Sequence, residues 1–83
     1  MLYKVLIKLY VPEIEETYEI YIPINKTVGE LSLLLTKLIN DLSKSYPIKN
    51  NARLCNRYTG NLYDRDLTIR NSDIRNGSEL ILF

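Results

Sequence analysis

Eighty-three residues with 46% hydrophobic side chains make one thin-cored domain, and a formal net charge of +1 supplies no overall field to draw nucleic acid or an anionic membrane. A single cysteine, Cys55, and the absence of histidine exclude an internal disulfide framework, a four-thiolate metal or iron–sulfur site, and the commonest general base and metal ligand. No run approaches the roughly 18 apolar residues of a membrane-spanning helix. The opening Met1-Leu2-Tyr3-Lys4-Val5 lacks the long apolar core and small-residue cleavage site of a signal peptide. The expectation is therefore one domain over residues 1–83, cytoplasmic and not inserted in a membrane, with its thiol kept reduced. Charge is uneven: residues 1–42 carry four lysines against six acids, and residues 43–83 seven basic residues against four acids. Solvated faces account for so mild an imbalance.

The first segment, Leu2 to Val11, alternates with period two. Tyr3, Val5, Ile7 and Leu9 share one face, and Lys4, Leu6, Lys8 and Tyr10 the other, as in a half-buried strand. Pro12 to Glu16 breaks the pattern as a turn does. Thr17 to Ile24 alternates again, with Tyr18, Ile20, Ile22 and Ile24 inward, so the two runs read as a β-hairpin. Pro23 places the second strand at a sheet edge or at its own end. Thr27-Val28-Gly29-Glu30 has the form of a capping box. Behind it, Val28, Leu31, Leu34, Leu35, Leu38, Ile39 and Leu42 form one apolar stripe at helical spacing, opposite Lys37, Asn40, Asp41 and Lys44. Leu33 alone interrupts the polar side. The helix is expected to stop before Tyr46-Pro47.

A polar loop, Lys49-Asn50-Asn51, leads to an expected strand from Ala52 to Tyr58. After the turn Thr59-Gly60-Asn61, Leu62-Tyr63 is a minimal fourth-strand candidate. Asp64 to Asn76 is polar and irregular, anchored by Leu67, Ile69 and Ile74. Asn76-Gly77 then turns into a final strand, Ser78 to Phe83, in which Leu80 and Leu82 alternate with Glu79, Ile81 and Phe83. One apolar helix stripe needs one apolar sheet face. The order predicts an α+β, β-grasp (ubiquitin-like) roll: a mixed sheet of four or five strands on one helix, with the first and last strands parallel at its centre. A split βαβ of ferredoxin type would need a second helix, for which Asp64 to Asn76 is too short and polar.

Two stretches carry a resemblance. Gly60-Asn61-Leu62-Tyr63-Asp64-Arg65-Asp66-Leu67 and Asp73-Ile74-Arg75-Asn76-Gly77-Ser78-Glu79-Leu80-Ile81-Leu82 resemble the end of ubiquitin-like proteins. With Tyr18-Glu19-Ile20-Tyr21-Ile22-Pro23 closing the second strand, the chain is similar to the bacterial YukD/EsaB family of small ubiquitin-like proteins. That resemblance implies a non-conjugated accessory or regulatory component of a type VII (ESX-like) secretion system in a Gram-positive bacterium. The sequence given ends in Leu82-Phe83 without the Gly-Gly tail of ubiquitin, so covalent conjugation and sulfur carriage are not expected.

No enzyme is expected, and no cofactor or metal site. Cys55 lies between Arg53 and Arg57, cations that would lower a thiol pKa, but there is no histidine base beside it. Glu13, Glu15 and Glu16 lack the ligand pattern of a calcium loop and read as a solvated turn. The candidate site is a surface. With the helix over the inward face, the outward face presents Leu6, Tyr21, Ile81 and Phe83, with Cys55, bordered by Lys4, Lys8, Arg53 and Arg57. The expected partner is another protein, a secretion-machinery component for the family it resembles, bound by a monomer or weak dimer. Leu33 is a second contact candidate. The alternative is an RNA-contacting β-grasp domain, given seven tyrosines and scattered arginines. The missing basic stripe speaks against nucleic acid.

Overall fold

The computed structural model describes residues 3–83. Strand β1 (Lys4–Val11) turns through a short 3-10 segment (Pro12–Ile14) into β2 (Glu16–Pro23). Helix α1 (Val28–Leu42) follows, then β3 (Leu54–Asn56) and β4 (Glu79–Leu82). The four strands form one sheet in the order β2-β1-β4-β3. β1 pairs antiparallel with β2 and parallel with β4, and β3 runs antiparallel to β4. The first and last strands are therefore central neighbours, as the β-grasp reading requires.

The hairpin forms because its turn has the right chemistry. Pro12 is preset for the first helical position, and Glu15 takes the left-handed conformation at φ 54° while its N–H donates to the Pro12 carbonyl. In the register Val5, Ile7, Leu9 and Val11 face Ile22, Ile20, Tyr18 and Glu16. All four β1 residues are buried beneath α1. On β2 only Ile22 is fully buried, because this edge strand has a neighbour on one side alone. Leu2, expected in β1, lies outside the described residues. Tyr3, expected inward, precedes the first paired residue and is 64% exposed.

The capping box is formed on both arms. The Glu30 N–H donates to Thr27 Oγ1 at 3.1 Å, and the Thr27 N–H donates to Glu30 Oε1 at 3.0 Å. The Thr27 N–H foremost, and then the Thr27 hydroxyl, donate to Glu30 Oε1 and hold the Glu30 carboxyl below its usual pKa. Thr27→Ala is expected to cost about 1 kcal/mol in urea unfolding. No measurable loss would show that the tertiary contacts of the first turn suffice.

The buried side of α1 differs from the expected stripe. Val28, Leu31, Leu35 and Ile39 are buried with Ser32 and Thr36, whereas Leu34, Leu38 and Leu42 are exposed. The two hydroxyls tolerate burial because they are satisfied locally. Ser32 Oγ donates to the Val28 carbonyl, and Thr36 Oγ1 lies within hydrogen-bonding distance of the Leu33 and Lys49 carbonyls and accepts from the Lys49 N–H. Their small size lets the loop after the helix come close. There Asn40 Nδ2 donates to the Tyr46 carbonyl, so Asn40 is half-buried and not on an open polar side. Leu33 is likewise half-buried. The helix ends at Leu42, with Tyr46 fully buried beyond it.

The later strands are shorter than expected. β3 covers three residues and not Ala52 to Tyr58, while Leu62 makes only an isolated bridge with Cys55 and Tyr63 belongs to no strand. The sheet thus has four strands. Between Asp64 and Asn76 the chain is a series of turns held by Ile69 and Ile74, both buried, with Leu67 packed against them. Tyr63 packs here too, its hydroxyl donating to Asp73 Oδ1 at 2.7 Å. Burial, then that hydrogen bond, pushes the phenol up to about 12. A raised pKa makes the neutral phenol a source of stability that is complete below pH 10 and lost as pH rises toward 12. The stability loss across that alkaline window is expected to shrink in Tyr63→Phe, measured by urea midpoint against pH.

Candidate functional site

One face of the sheet carries α1. The opposite face is built from alternate residues of all four strands, and the registers fix its layout. Across one row lie Thr17, Tyr10, Ile81 and Cys55, on β2, β1, β4 and β3 in turn. The next row holds Glu19, Lys8 and Glu79, with Arg57 beside Glu79 through a backbone hydrogen bond of 3.0 Å. Beyond it Leu6 stands opposite Tyr21. At the other end Phe83 and Arg53 exchange backbone hydrogen bonds of 2.8 and 3.1 Å.

The seven expected site residues, Leu6, Lys8, Tyr21, Arg53, Arg57, Ile81 and Phe83, lie along this face, but not as one apolar centre with a basic border. A charged row, Glu19-Lys8-Glu79-Arg57, separates the Leu6–Tyr21 pair from Tyr10, Ile81 and Phe83. Leu6 is set apart because β4 begins only at Glu79. In place of a β4 partner, its N–H donates to Asn76 Oδ1 at 2.7 Å and its carbonyl accepts from the Gly77 N–H at 2.8 Å. Gly77 sits at φ 88°, which a residue with a Cβ adopts only under strain.

Three residues outside the expected set order this face. The Arg57 guanidinium lies 4.9 Å from the centroid of the Tyr10 ring, reaching across β4, and its Nη1 is 3.7 Å from Glu79 Oε1. The Tyr58 hydroxyl donates to the same Glu79 carboxylate, which raises the phenol pKa first through that bond. Tyr10, Arg57, Glu79 and Tyr58 thus form a partly pre-ordered aromatic and charged cluster around half-buried Ile81. Alternation already put Tyr10 on this face, but its meeting with Arg57 depends on the spatial strand order.

Cys55 shares the face yet is buried, with 7% exposure. Burial raises its thiol pKa, so the flanking arginines do not activate it. Ellman's reagent at pH 8 is expected to label it only at the rate of unfolding; immediate labelling of the native protein would contradict its burial. Of the turn acids, Glu13 accepts from the Lys49 ammonium. Among the described residues no group of three acidic, cysteine or histidine side chains is gathered as a metal site, and no helix is long and apolar enough to cross a membrane.

No protein-family model matches the chain, and no curated protein matches it in sequence. Solved structures match its shape. The N-terminal ubiquitin-like domain of the 4931431F19Rik protein superposes with a TM-score of 0.76 over 100% of this chain and 76% of that one, at 13% identity. The chain has the ubiquitin-like β-grasp fold. The β-grasp domain also matches a chain of the MycP5-free ESX-5 inner membrane complex, with a TM-score of 0.82 at 16% identity, covering 99% of this chain but 21% of that one. A third match is a chain of the toluene 4-monooxygenase HD complex, with a TM-score of 0.79, 11% identity and 95% of each chain covered. At these identities the likeness is one of fold.

Proposed function

We propose that this β-grasp domain is a non-catalytic protein-interaction module that docks through the open face of its sheet. The observation that carries this reading is the Tyr10–Arg57–Glu79–Tyr58 cluster around Ile81. Tyrosine and arginine are the residues that most often dominate binding energy at protein interfaces. Held by one another before binding, they lose less side-chain freedom when a partner arrives. The alternating charges of the neighbouring row set the register of a complementary surface more than its affinity. The same face lacks the dense basic stripe that contact with nucleic-acid phosphates uses.

The finer reading is a ubiquitin-like accessory component of a type VII secretion system in a Gram-positive bacterium, cytoplasmic and not conjugated. It is supported by the likeness of the β2 end and the β4 approach to the YukD/EsaB family. The shape match to a chain of an ESX-5 inner membrane complex points the same way.

The test is comparative capture from the source cell. A wild-type bait is expected to retain a protein, identified by mass spectrometry as a secretion component, that a folded Ile81→Asp or Tyr21→Asp bait loses. Equal retention by all three baits rejects this face. A retained partner unrelated to secretion rejects the finer reading alone.

A further inference from the structure

β4 does not reach the start of β1. Its first pair with β1 is Glu79 with Lys8, so Lys4 to Leu6 have β2 on one side and a loop on the other. That loop, residues 69–77, is pinned at both ends. The N–H groups of Ile69 and Arg70 donate to the Lys26 and Ile24 carbonyls, each at 2.9 Å, and the Gly77 N–H donates to the Leu6 carbonyl at 2.8 Å. Its middle is fixed by buried Ser72, whose Oγ donates to the Ile69 carbonyl at 2.7 Å and accepts from the Ile74 N–H at 3.1 Å. Between this loop and the strand ends lies a hollow of about 270 Å³, lined by Val5, Ile24, Ile69, Arg70, Ile74 and Arg75. Its frame is built before any ligand arrives, as small-molecule sites usually are.

The lining has two parts. Val5, Ile69 and Ile74 are buried and Ile24 half-buried, so the walls are aliphatic. The polar part is two guanidinium groups. Arg75 Nη1 donates to the Ser72 and Ile74 carbonyls at 2.6 and 2.8 Å, which anchors the side chain. Among the described residues its Nε and Nη2 make no hydrogen bond, and neither Arg70 nor Arg75 pairs with an acid. The one acid of this stretch, Asp73, accepts from the Tyr63 hydroxyl and does not line the hollow. Two cations and no carboxylate select an anion, and the flat arginine fork matches a carboxylate.

The backbone selects further. The N–H groups of Ile24, Ile69, Arg70, Ile74 and Arg75 are all spent inside the protein, on the Tyr3, Lys26 and Ile24 carbonyls and on Ser72 Oγ and Ser78 Oγ. A peptide entering the hollow would bury its amides with nothing to bond them, whereas an alkyl chain has none to bury. Size sets the length. At the ~30 Å³ that one water occupies in the liquid, the hollow has room for about nine heavy atoms.

We infer that this hollow binds a short aliphatic carboxylate of about eight carbons, its chain against Val5, Ile69 and Ile74 and its head on Arg70 and Arg75. The site lies at the end of the sheet, on the side of α1, and is separate from the open face.

The test is nuclear magnetic resonance titration of the full chain, labelled with 15N and with 13C in its isoleucine and valine methyl groups, using millimolar sodium octanoate. Octanoate is expected to shift the methyls of Val5, Ile24, Ile69 and Ile74 and the Nε of Arg75. It is expected to bind at least about tenfold more tightly than octan-1-ol or octylammonium, which lack the charge or reverse it. Affinity is expected to rise about fourfold per methylene from butyrate to octanoate, and to level off beyond decanoate once the hollow is full. Arg70→Gln, at an exposed position, and Arg75→Gln are each expected to weaken octanoate several-fold, and the double variant to bind octanoate and octanol alike. Ile24→Trp is expected to block binding with an unchanged circular dichroism spectrum, and Ile81→Asp to leave it intact. Equal binding of octanoate and octanol by the wild type, a rise that continues through dodecanoate, or shifts centred on Leu34 and Leu38 would each overturn the proposal. So would the absence of any shift, or a peptide such as Ala-Ala-Leu binding as tightly as octanoate.

Discussion

Replacing Tyr46 by alanine is expected to lower the unfolding free energy by about 3–5 kcal/mol, whereas phenylalanine there leaves it unchanged or raises it. Tyr46 is the largest fully buried side chain of the domain. It fills the space between the end of α1 and the loop leading to β3, where its own carbonyl accepts from Asn40 Nδ2 at 2.8 Å. Among the described residues its hydroxyl has no hydrogen-bond partner. A buried polar group in that state costs stability, so removing it with the ring retained is neutral or favourable. The Lys49 ammonium, 4.9 Å from the ring centroid, keeps its aromatic contact in the phenylalanine variant. A domain of this length holds about 4–12 kcal/mol in all, so the alanine variant loses a large part of it. Urea unfolding curves for the three proteins decide the matter. If phenylalanine costs as much as alanine, the hydroxyl and not the ring anchors this loop.

The second large effect concerns binding. Tyr10→Ala is expected to weaken the captured partner by at least about 30-fold, the loss that defines an interface hot spot. The substitution removes the ring beneath the Arg57 guanidinium and frees Arg57 from its ordered position across β4. Tyr10 is half-buried on the outer side of β1, so its loss leaves the core under α1 untouched. Arg57→Lys is the sharper variant, since it keeps the charge but loses the planar group that stacks on the ring. Titration calorimetry with the purified partner measures both. Wild-type affinity in both variants would remove the cluster from the interface.

Most of the fold was legible because its local signals agree with its long-range pairing. Period-two alternation placed Val5, Ile7, Leu9, Leu80 and Leu82 under the helix, and the Thr27–Glu30 capping box marked the start of α1. What stayed hidden depends on neighbours distant in sequence. Helical spacing alone counts Leu34, Leu38 and Leu42 with Leu31 and Leu35 in one stripe, although the first three are exposed. A helix lying on a sheet buries a narrower arc, and loop residues Tyr46 and Lys49 fix which arc through Thr36 and Asn40. Ser32 and Thr36 of that arc give no apolar signal in the sequence, although each bonds a carbonyl of its own helix.

The open face was legible in its members and not in its arrangement. Alternation put Leu6, Lys8 and Tyr10 outward, yet the charged row that divides the apolar residues appears only when Lys8 is set against both Glu19 and Glu79. Those pairings require β1 to lie between β2 and β4. Cys55 shows the converse: flanking arginines would lower a thiol pKa, but burial, which the sequence does not display, raises it.

Site-specific photocrosslinking in the source cell tests the docking face most directly. A benzoylphenylalanine probe replacing Tyr21 or Phe83 is expected to trap one and the same protein, while the probe replacing Ile48, exposed in the loop after α1, traps none of it. A partner trapped from the Ile48 position, and from neither of the other two, would contradict the assignment of the open sheet face.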